Sequence, residues 1–192
     1  AERVGAAIVY ISTDYVFDGE SDRPYTEDDG PNPMSVYGES KLAGEAEVAD
    51  SGAEYLILRT AWLYGHGGRN FVDTVLRLAQ AGEPLRIVDD QRGQPTYARD
   101  LAVIIRELAP VAATGILNAT NSGDTTWYGF ALKILETAGL SQVEVEPVST
   151  TEFPRPAPRP RSSRLSLERL QWTLGWMPRP WHEALVEYMS ER

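Results

Sequence analysis

Cysteine is absent from these 192 residues, so neither a disulfide nor a thiolate metal site can form. A reducing compartment is thereby allowed, though not required. Lysine is almost absent and stands only at positions 41 and 133. The two histidines, His66 and His182, are isolated and have no second ligand at metal spacing, so no zinc site is expected. Basic charge is also short: 18 Lys and Arg face 28 Asp and Glu, for a formal charge of −10. With no cationic excess to neutralise phosphates, a nucleic-acid or anionic-membrane partner is not expected. A local basic pocket for one small phosphorylated ligand remains compatible with that charge. No apolar run approaches the ~20 residues that span a bilayer, and no signal peptide is read. The expected setting is the cytoplasm.

What is present describes an ordinary globular chain, 42% hydrophobic and 24% charged. The apolar run "AAIVYI" (6–11) reads as a strand buried on both faces of a parallel sheet. It arrives within a few residues of Ala1, and something is expected to precede it. From Ser12 to Pro33 the composition is that of a loop. Ser35 can cap a helix to about Asp50, with Glu39, Glu45 and Glu47 pointing out and Val36, Leu42, Ala43 and Ala46 inward. "YLILRT" (55–60) is a second buried strand, so a right-handed parallel βαβ unit is expected.

Beyond it the pattern predicts a helix from near Asn70 to Gly82, a strand at 85–88, a helix over 97–109 and a strand at 115–120. A helix capped by Thr125 or Thr126, a strand at 143–148 and two short helices near 166–174 and 181–190 complete the chain. Between them, the proline-rich "FPRPAPRPRSSR" (153–164) is expected to be extended. Its arginines 155, 159, 161 and 164 read first as solvated charges and second as a phosphate-facing patch. The fold class is α/β: the second half of a doubly wound, Rossmann-like parallel sheet plus a small mixed C-terminal lobe. Residues 1–62 form the sheet part and 63–192 mainly the lobe, with some segments free to return to the sheet.

The chemistry-bearing stretch is "MSVYGESKLAGE" (34–45), in which Tyr37 stands four residues before Lys41. On a helix that spacing places both on one face, where an ammonium can sit beneath the phenol. A positive charge there favours the phenolate and lowers a pKa of about 10, as a general acid near neutral pH requires. With nine tyrosines and two lysines, such a pair arises by chance roughly 0.1 times, so it carries little alone. Thr13 and Asp14 of "STDYVFDG" add context, because they emerge at the carboxyl end of a parallel strand, where doubly wound sheets bind ligands. Taken singly, Thr13 reads equally as a strand-end hydroxyl bonding the backbone, and Asp14 as a turn residue.

At these residues the chain resembles the extended short-chain dehydrogenase/reductase superfamily. "STDYVFDG", "PYTEDDGPNPMSVYGESKLAGE", "LRTAWLYG", "DDQRGQPTY" and "FPRPAPRPRSSRLS" are more closely similar to the dTDP-4-dehydrorhamnose reductase family. The resemblance runs from about residue 6 to the end. It implies NADPH or NADH as cofactor, a dTDP-sugar substrate, and reduction of the C4 ketone of dTDP-4-dehydro-L-rhamnose. It further implies Tyr37 as proton donor, Lys41 as its tuner and nicotinamide-ribose contact, and Thr13 as the partner of the substrate carbonyl. Asp14 and Trp62 are implied at the sugar, Trp62 otherwise reading as a core residue. Gln91, and Asn70 with Arg69 on the diphosphate side, complete the expected substrate contacts. Superfamily dehydratases carry Asp-Glu after the strand-end Thr; here Asp14-Tyr15 favours reduction. A homodimer, and an oligomer-bridging Mg2+ held by carboxylates, are left open. No G-x-G-x-x-G occurs; "GHGGRNF" (65–71) lacks that spacing. The superfamily places this motif earlier than "AAIVYI", so NADH and NADPH are not distinguished and the isolated chain is expected to be inactive. Another nucleotide-sugar reductase or epimerase, or an NADP-binding regulatory subunit of the methionine adenosyltransferase type, is the alternative.

Overall fold

The computed structural model describes residues 1–153 and 156–192. It opens with β1 (Ile8–Thr13), a single 3-10 turn (Asp14–Val16), a long loop, α1 (Val36–Ala49) and β2 (Tyr55–Thr60). Next come β3 (Leu63–Tyr64), α2 (Phe71–Gln80), β4 (Leu85–Val88), β5 (Arg92–Gly93), β6 (Thr96–Tyr97) and α3 (Ala98–Leu108). The chain closes with β7 (Gly115–Asn118), β8 (Thr125–Thr126), α4 (Trp127–Thr137), β9 (Val145–Val148), α5 (Glu168–Leu174) and α6 (Trp181–Ser190). Among the described residues no helix is long and apolar enough to cross a membrane.

Strands β1, β2 and β7 form a parallel sheet in that order, with Thr13 level with Thr60 and Arg59 level with Asn118. Because side chains alternate along a strand, β2 serves two layers at once. Leu56 and Leu58 pack on Leu101, Ile104 and Leu108 of α3 and Leu170 of α5. Arg59, one residue out of phase, reaches α1 instead. β1 lies at the border of this sheet, and Val9 is 46% exposed, so the expectation of burial on both faces does not hold for it.

Helix α1 starts where expected, with the Ser35 hydroxyl accepting from Gly38 N at 3.2 Å. Its inner face differs from the expected one. Val36 is 80% exposed and Ala43 and Ala46 are exposed, whereas Glu45 is buried. The side laid on the sheet is formed by Gly38, Lys41, Gly44 and Glu45. A Cβ on Gly38 would stand 2.2 Å from the Tyr15 carbonyl oxygen, and one on Gly44 2.1 Å from the Tyr10 hydroxyl. The missing side chains let the helix lie directly on β1 and the turn after it, and of the four residues expected inward Leu42 packs on Val16, Phe17, Tyr25 and Leu165.

The second layer set is apolar in the usual way. Val72, Val75 and Leu76 of α2 meet Phe130, Ile134 and Leu135 of α4, Leu185 and Tyr188 of α6, and Tyr64 and Tyr97. Full burial of one such side chain is worth about 1.5–3 kcal/mol. Asn70 and Thr126 cap α2 and α4 through Asp73 N and Gly129 N. Parallel β4–β9 closes the flank.

Within the proline-rich stretch, Arg155 lies outside the described residues. The end of that stretch is no solvated tail: Pro160, Ser162, Ser163 and the adjoining Leu165 are buried. Ser163 N donates to Arg92 O at 2.9 Å, and Tyr25 N donates to Arg164 O at 2.7 Å. The segment is thus stitched against the start of β5 and the loop after β1, next to Asp14.

Candidate functional site

Thr13 closes β1 and is buried. Its hydroxyl donates to Asp14 Oδ1 at 3.0 Å and accepts from Tyr15 N at 3.2 Å. Burial pushes the Asp14 carboxyl up to about 7, against the pull of the Ser163 and Thr13 hydroxyls. Asp14 Oδ2 is buried without a hydrogen-bond partner among the described residues. A buried carboxyl beside a strand-end hydroxyl, titrating near neutrality, is the kind of group that functional clefts accumulate. Burial and then the Asp14 charge push the Tyr15 phenol up to about 12, while Arg159 acts in the opposite sense.

Tyr37 rises from the first turn of α1, 55% exposed, with its ring edge-on to Tyr15 at 6.0 Å. Lys41 stands one turn further, and its ammonium lies 4.1 Å from the centre of the Tyr10 ring. The ammonium thus lies over Tyr10, a different ring from the Tyr37 phenol that the helix spacing predicts. Tyr15 links the ledge together: its amide holds Thr13 and its ring meets Tyr37.

Trp62 leaves β2 with φ 45, a left-handed conformation that is costly for a bulky side chain. Its indole lies flat on Trp127, with centroids 3.6 Å apart and planes at 9°. Gly93 makes room, since a Cβ there would come within 2.4 Å of the Trp62 ring. Trp127 in turn walls a cavity of about 240 Å³ with Phe71, Arg86, Gln91, Phe153 and Arg159. Gln91 is buried and donates to Thr150 Oγ1 at 2.9 Å. Asn70 is spent on the fold: its side-chain carbonyl caps α2, and its amide nitrogen lies 2.9–3.3 Å from Gly65 O, Gly68 O, Asp73 Oδ2 and the Tyr188 hydroxyl, among which its two hydrogens are shared.

The structure therefore brings Thr13, Asp14 and Tyr37 to one ledge and Gln91 to a cavity wall, stacks Trp62 on Trp127 outside the cavity lining, and commits the Asn70 side chain to its own loop and to Tyr188 of α6. Arg159 and Arg161 are exposed, as their first reading as solvated charges expects, and Arg159 also lines that cavity. Trp127 and Ser163 went unread in the sequence, and Glu45, read as pointing out, is buried. Trp127 walls the cavity, and Ser163 sits against Asp14. Glu45 is buried behind the ledge with Arg59, and the only advance signal was that arginine inside "YLILRT". A cation in a buried strand requires an anion nearby.

The family model described as the RmlD substrate binding domain matches residues 1–192. The chain is 45% identical over 190 residues to the spore coat polysaccharide biosynthesis protein SpsK of Bacillus subtilis, covering 99% of this chain and 66% of that one. It is 44% identical to dTDP-4-dehydrorhamnose reductase of Mycobacterium tuberculosis, covering 98% of this chain and 64% of the relative. Among solved structures, dTDP-4-dehydrorhamnose reductase of Bacillus anthracis in complex with NADP superposes with a TM-score of 0.95 at 42% identity. That match covers 100% of this chain and 68% of the other. The chain thus spans about two thirds of the length of these relatives. The α/β, Rossmann-type fold expected from the sequence is the fold of these structures.

Proposed function

This chain belongs to the RmlD substrate-binding domain family, and from that premise we propose that the protein reduces the C4 ketone of dTDP-4-dehydro-L-rhamnose to dTDP-L-rhamnose. The cofactor is NADPH or NADH, NADPH being supported by the NADP held by the Bacillus anthracis reductase. The observation that carries this reading is the ledge at the carboxyl end of β1, where the Tyr15 amide donates to the buried Thr13 hydroxyl and the Tyr15 ring stands edge-on to Tyr37.

The nicotinamide end of such a cofactor fits the residues present: an exposed phenol at Tyr37, with a lysine one turn along the same helix. When bound, the reduced nicotinamide supplies the hydride that C4 receives. Thr13 and Tyr37 converge on the ketone oxygen. The Thr13 hydroxyl turns from Asp14 Oδ1 to donate to that oxygen, and Tyr37 delivers the proton as charge develops there. Lys41, one turn along α1, would hold the nicotinamide ribose. Asp14 and Trp62 bind the sugar. Phe71, Trp127 and Phe153 offer flat faces for a base, and Arg86 and Arg159 offer guanidinium groups for a diphosphate. Residues 1–62, together with the returning β7, α3 and α5, form the cofactor side of the site, and the protein works in the cytoplasm.

The test is Tyr37→Phe in the full-length protein, with NADPH consumption and product mass as readouts. Removing the proton donor should cost about 10²–10⁴-fold in turnover with an unchanged circular dichroism spectrum. Wild-type turnover in that variant would reject Tyr37 as the proton donor, whereas no turnover by the wild-type protein would revive a binding-only regulator.

A further inference from the structure

One buried ionic group lies outside that mechanism. Arg59 and Glu45 are 2% and 4% exposed, and they pair in fork geometry: Arg59 Nη2 donates to Glu45 Oε2 at 2.6 Å and Nε to Oε1 at 3.0 Å. The same Oε1 accepts from the Ser12 hydroxyl at 2.5 Å. The Arg59 guanidinium also lies 5.0 Å from the centre of the Phe17 ring. Replacing a buried ion pair with apolar residues of equal size is often neutral or stabilising, so stability alone is a poor reason for this one.

Its connections suggest another reason. Glu45 lies one helical turn beyond Lys41 and two beyond Tyr37, on α1. Ser12 immediately precedes Thr13 on β1, and Arg59 immediately precedes Thr60, which is level with Thr13 on β2. One carboxylate thus grips the helix that carries Tyr37 and Lys41, the strand that carries Thr13, and the strand beside it. A hydrogen-bonded ion pair has a direction and a length, whereas an apolar contact between α1 and β1 would permit sliding. Gly38 and Gly44 make that contact smooth.

We propose that Glu45, clamped by Arg59 and Ser12, is a positioning residue that sets the slide and rotation of α1 against β1. Tyr37 and Thr13 thereby meet the same substrate oxygen. This rests on the reductase reading and deepens it.

The experiment uses the full-length protein with dTDP-4-dehydro-L-rhamnose and NADPH. Glu45→Gln keeps the length and the acceptor for Ser12 but removes the charge that Arg59 grips. The expected result is a fall in kcat of about 100-fold, since misplacement of this order costs that much in an oriented reaction. KM for the sugar should stay within about twofold. The solvent isotope effect on kcat should rise, because proton delivery becomes limiting. Should this variant fail to fold, the double variant E45M/R59M, which leaves no unpaired buried ion, carries the same expectation. A kcat per folded molecule within about threefold of wild type, whatever the change in Tm, overturns the proposal, as does a loss carried by KM instead. Tyr37→Phe run alongside separates the two failures. If it is inactive while Glu45→Gln is not, only the clamp falls; if the wild-type protein does not turn over this substrate, the reductase reading itself falls.

Discussion

Helix α1 meets its sheet through Gly38, Lys41, Gly44 and Glu45, whereas α4 meets its lobe through Phe130, Ala131, Ile134 and Leu135. Both helices are capped at the start by a hydroxyl side chain and are of ordinary length. Their burial obeys different rules. The lobe is an apolar and aromatic pack, in which the rings of Tyr97, Phe130 and Tyr188 all lie 5.3–5.7 Å from that of Tyr64. Behind the ledge, by contrast, a carboxylate, a guanidinium and a serine hydroxyl are buried together, with Thr13 and Asp14 next along the chain from that serine. Apolar contact supplies free energy without direction, while hydrogen-bonded polar contact supplies direction at a desolvation cost. The ledge, to which the proposed proton transfer is assigned, uses the second, and the lobe uses the first.

Three further measurements probe that contrast. The largest effect belongs to the lobe: Phe130→Ala should cost about 3–5 kcal/mol in urea unfolding, because the ring is fully buried and its neighbours cannot collapse onto the space. If the two halves differ as described, the loss appears in stability and leaves Tyr37 chemistry per folded molecule intact.

The next effect is a pH dependence confined to the ledge. Asp14 has a folded pKa of about 7, raised by burial from 3.8. The neutral carboxyl therefore favours the folded state. Its contribution is complete below the unfolded pKa and is lost as pH rises through the window from about 4 to 7, then levels off. The full loss amounts to up to about 4 kcal/mol. Asp14→Asn, neutral at every pH, should flatten that part of the urea-midpoint profile. An identical slope in the variant would assign the dependence elsewhere.

The smallest concerns the smooth contact under α1. Gly38→Ala places a methyl 2.2 Å from a backbone oxygen that cannot rotate away, so α1 must shift. A cost of about 1–3 kcal/mol is expected, together with a drop in turnover larger than that produced by Phe130→Ala. A Gly38→Ala protein with wild-type stability and turnover would show that the close approach is not needed.

The local pattern was readable wherever one segment contained its own reasons. Ser35 before α1, Asn70 before α2, Gly82 after it with φ 67, and the apolar runs of β2 and β4 each announce their element through neighbours in sequence. The ledge residues Thr13, Asp14 and Tyr37 were visible for the same reason, since strand end and helix start are local facts. The burial of Glu45 was not. Its partner Arg59 is 14 residues away on another element, and a glutamate among Glu39 and Glu47 carries the pattern of an outer face. Trp62 and Trp127 stand on segments far apart in the chain, so nothing near either indicates that their rings stack.

By itself the sequence determined the order of strands and helices, their caps and breaks, and the residue types able to move a proton, because each depends on propensity and spacing within a few turns of chain. Only the tertiary structure decided which side of α1 lies against the sheet, which carboxylate is buried, and which two tryptophans stack. Those outcomes depend on ion pairs, close approaches and ring contacts between segments that become neighbours only when the chain has closed on itself.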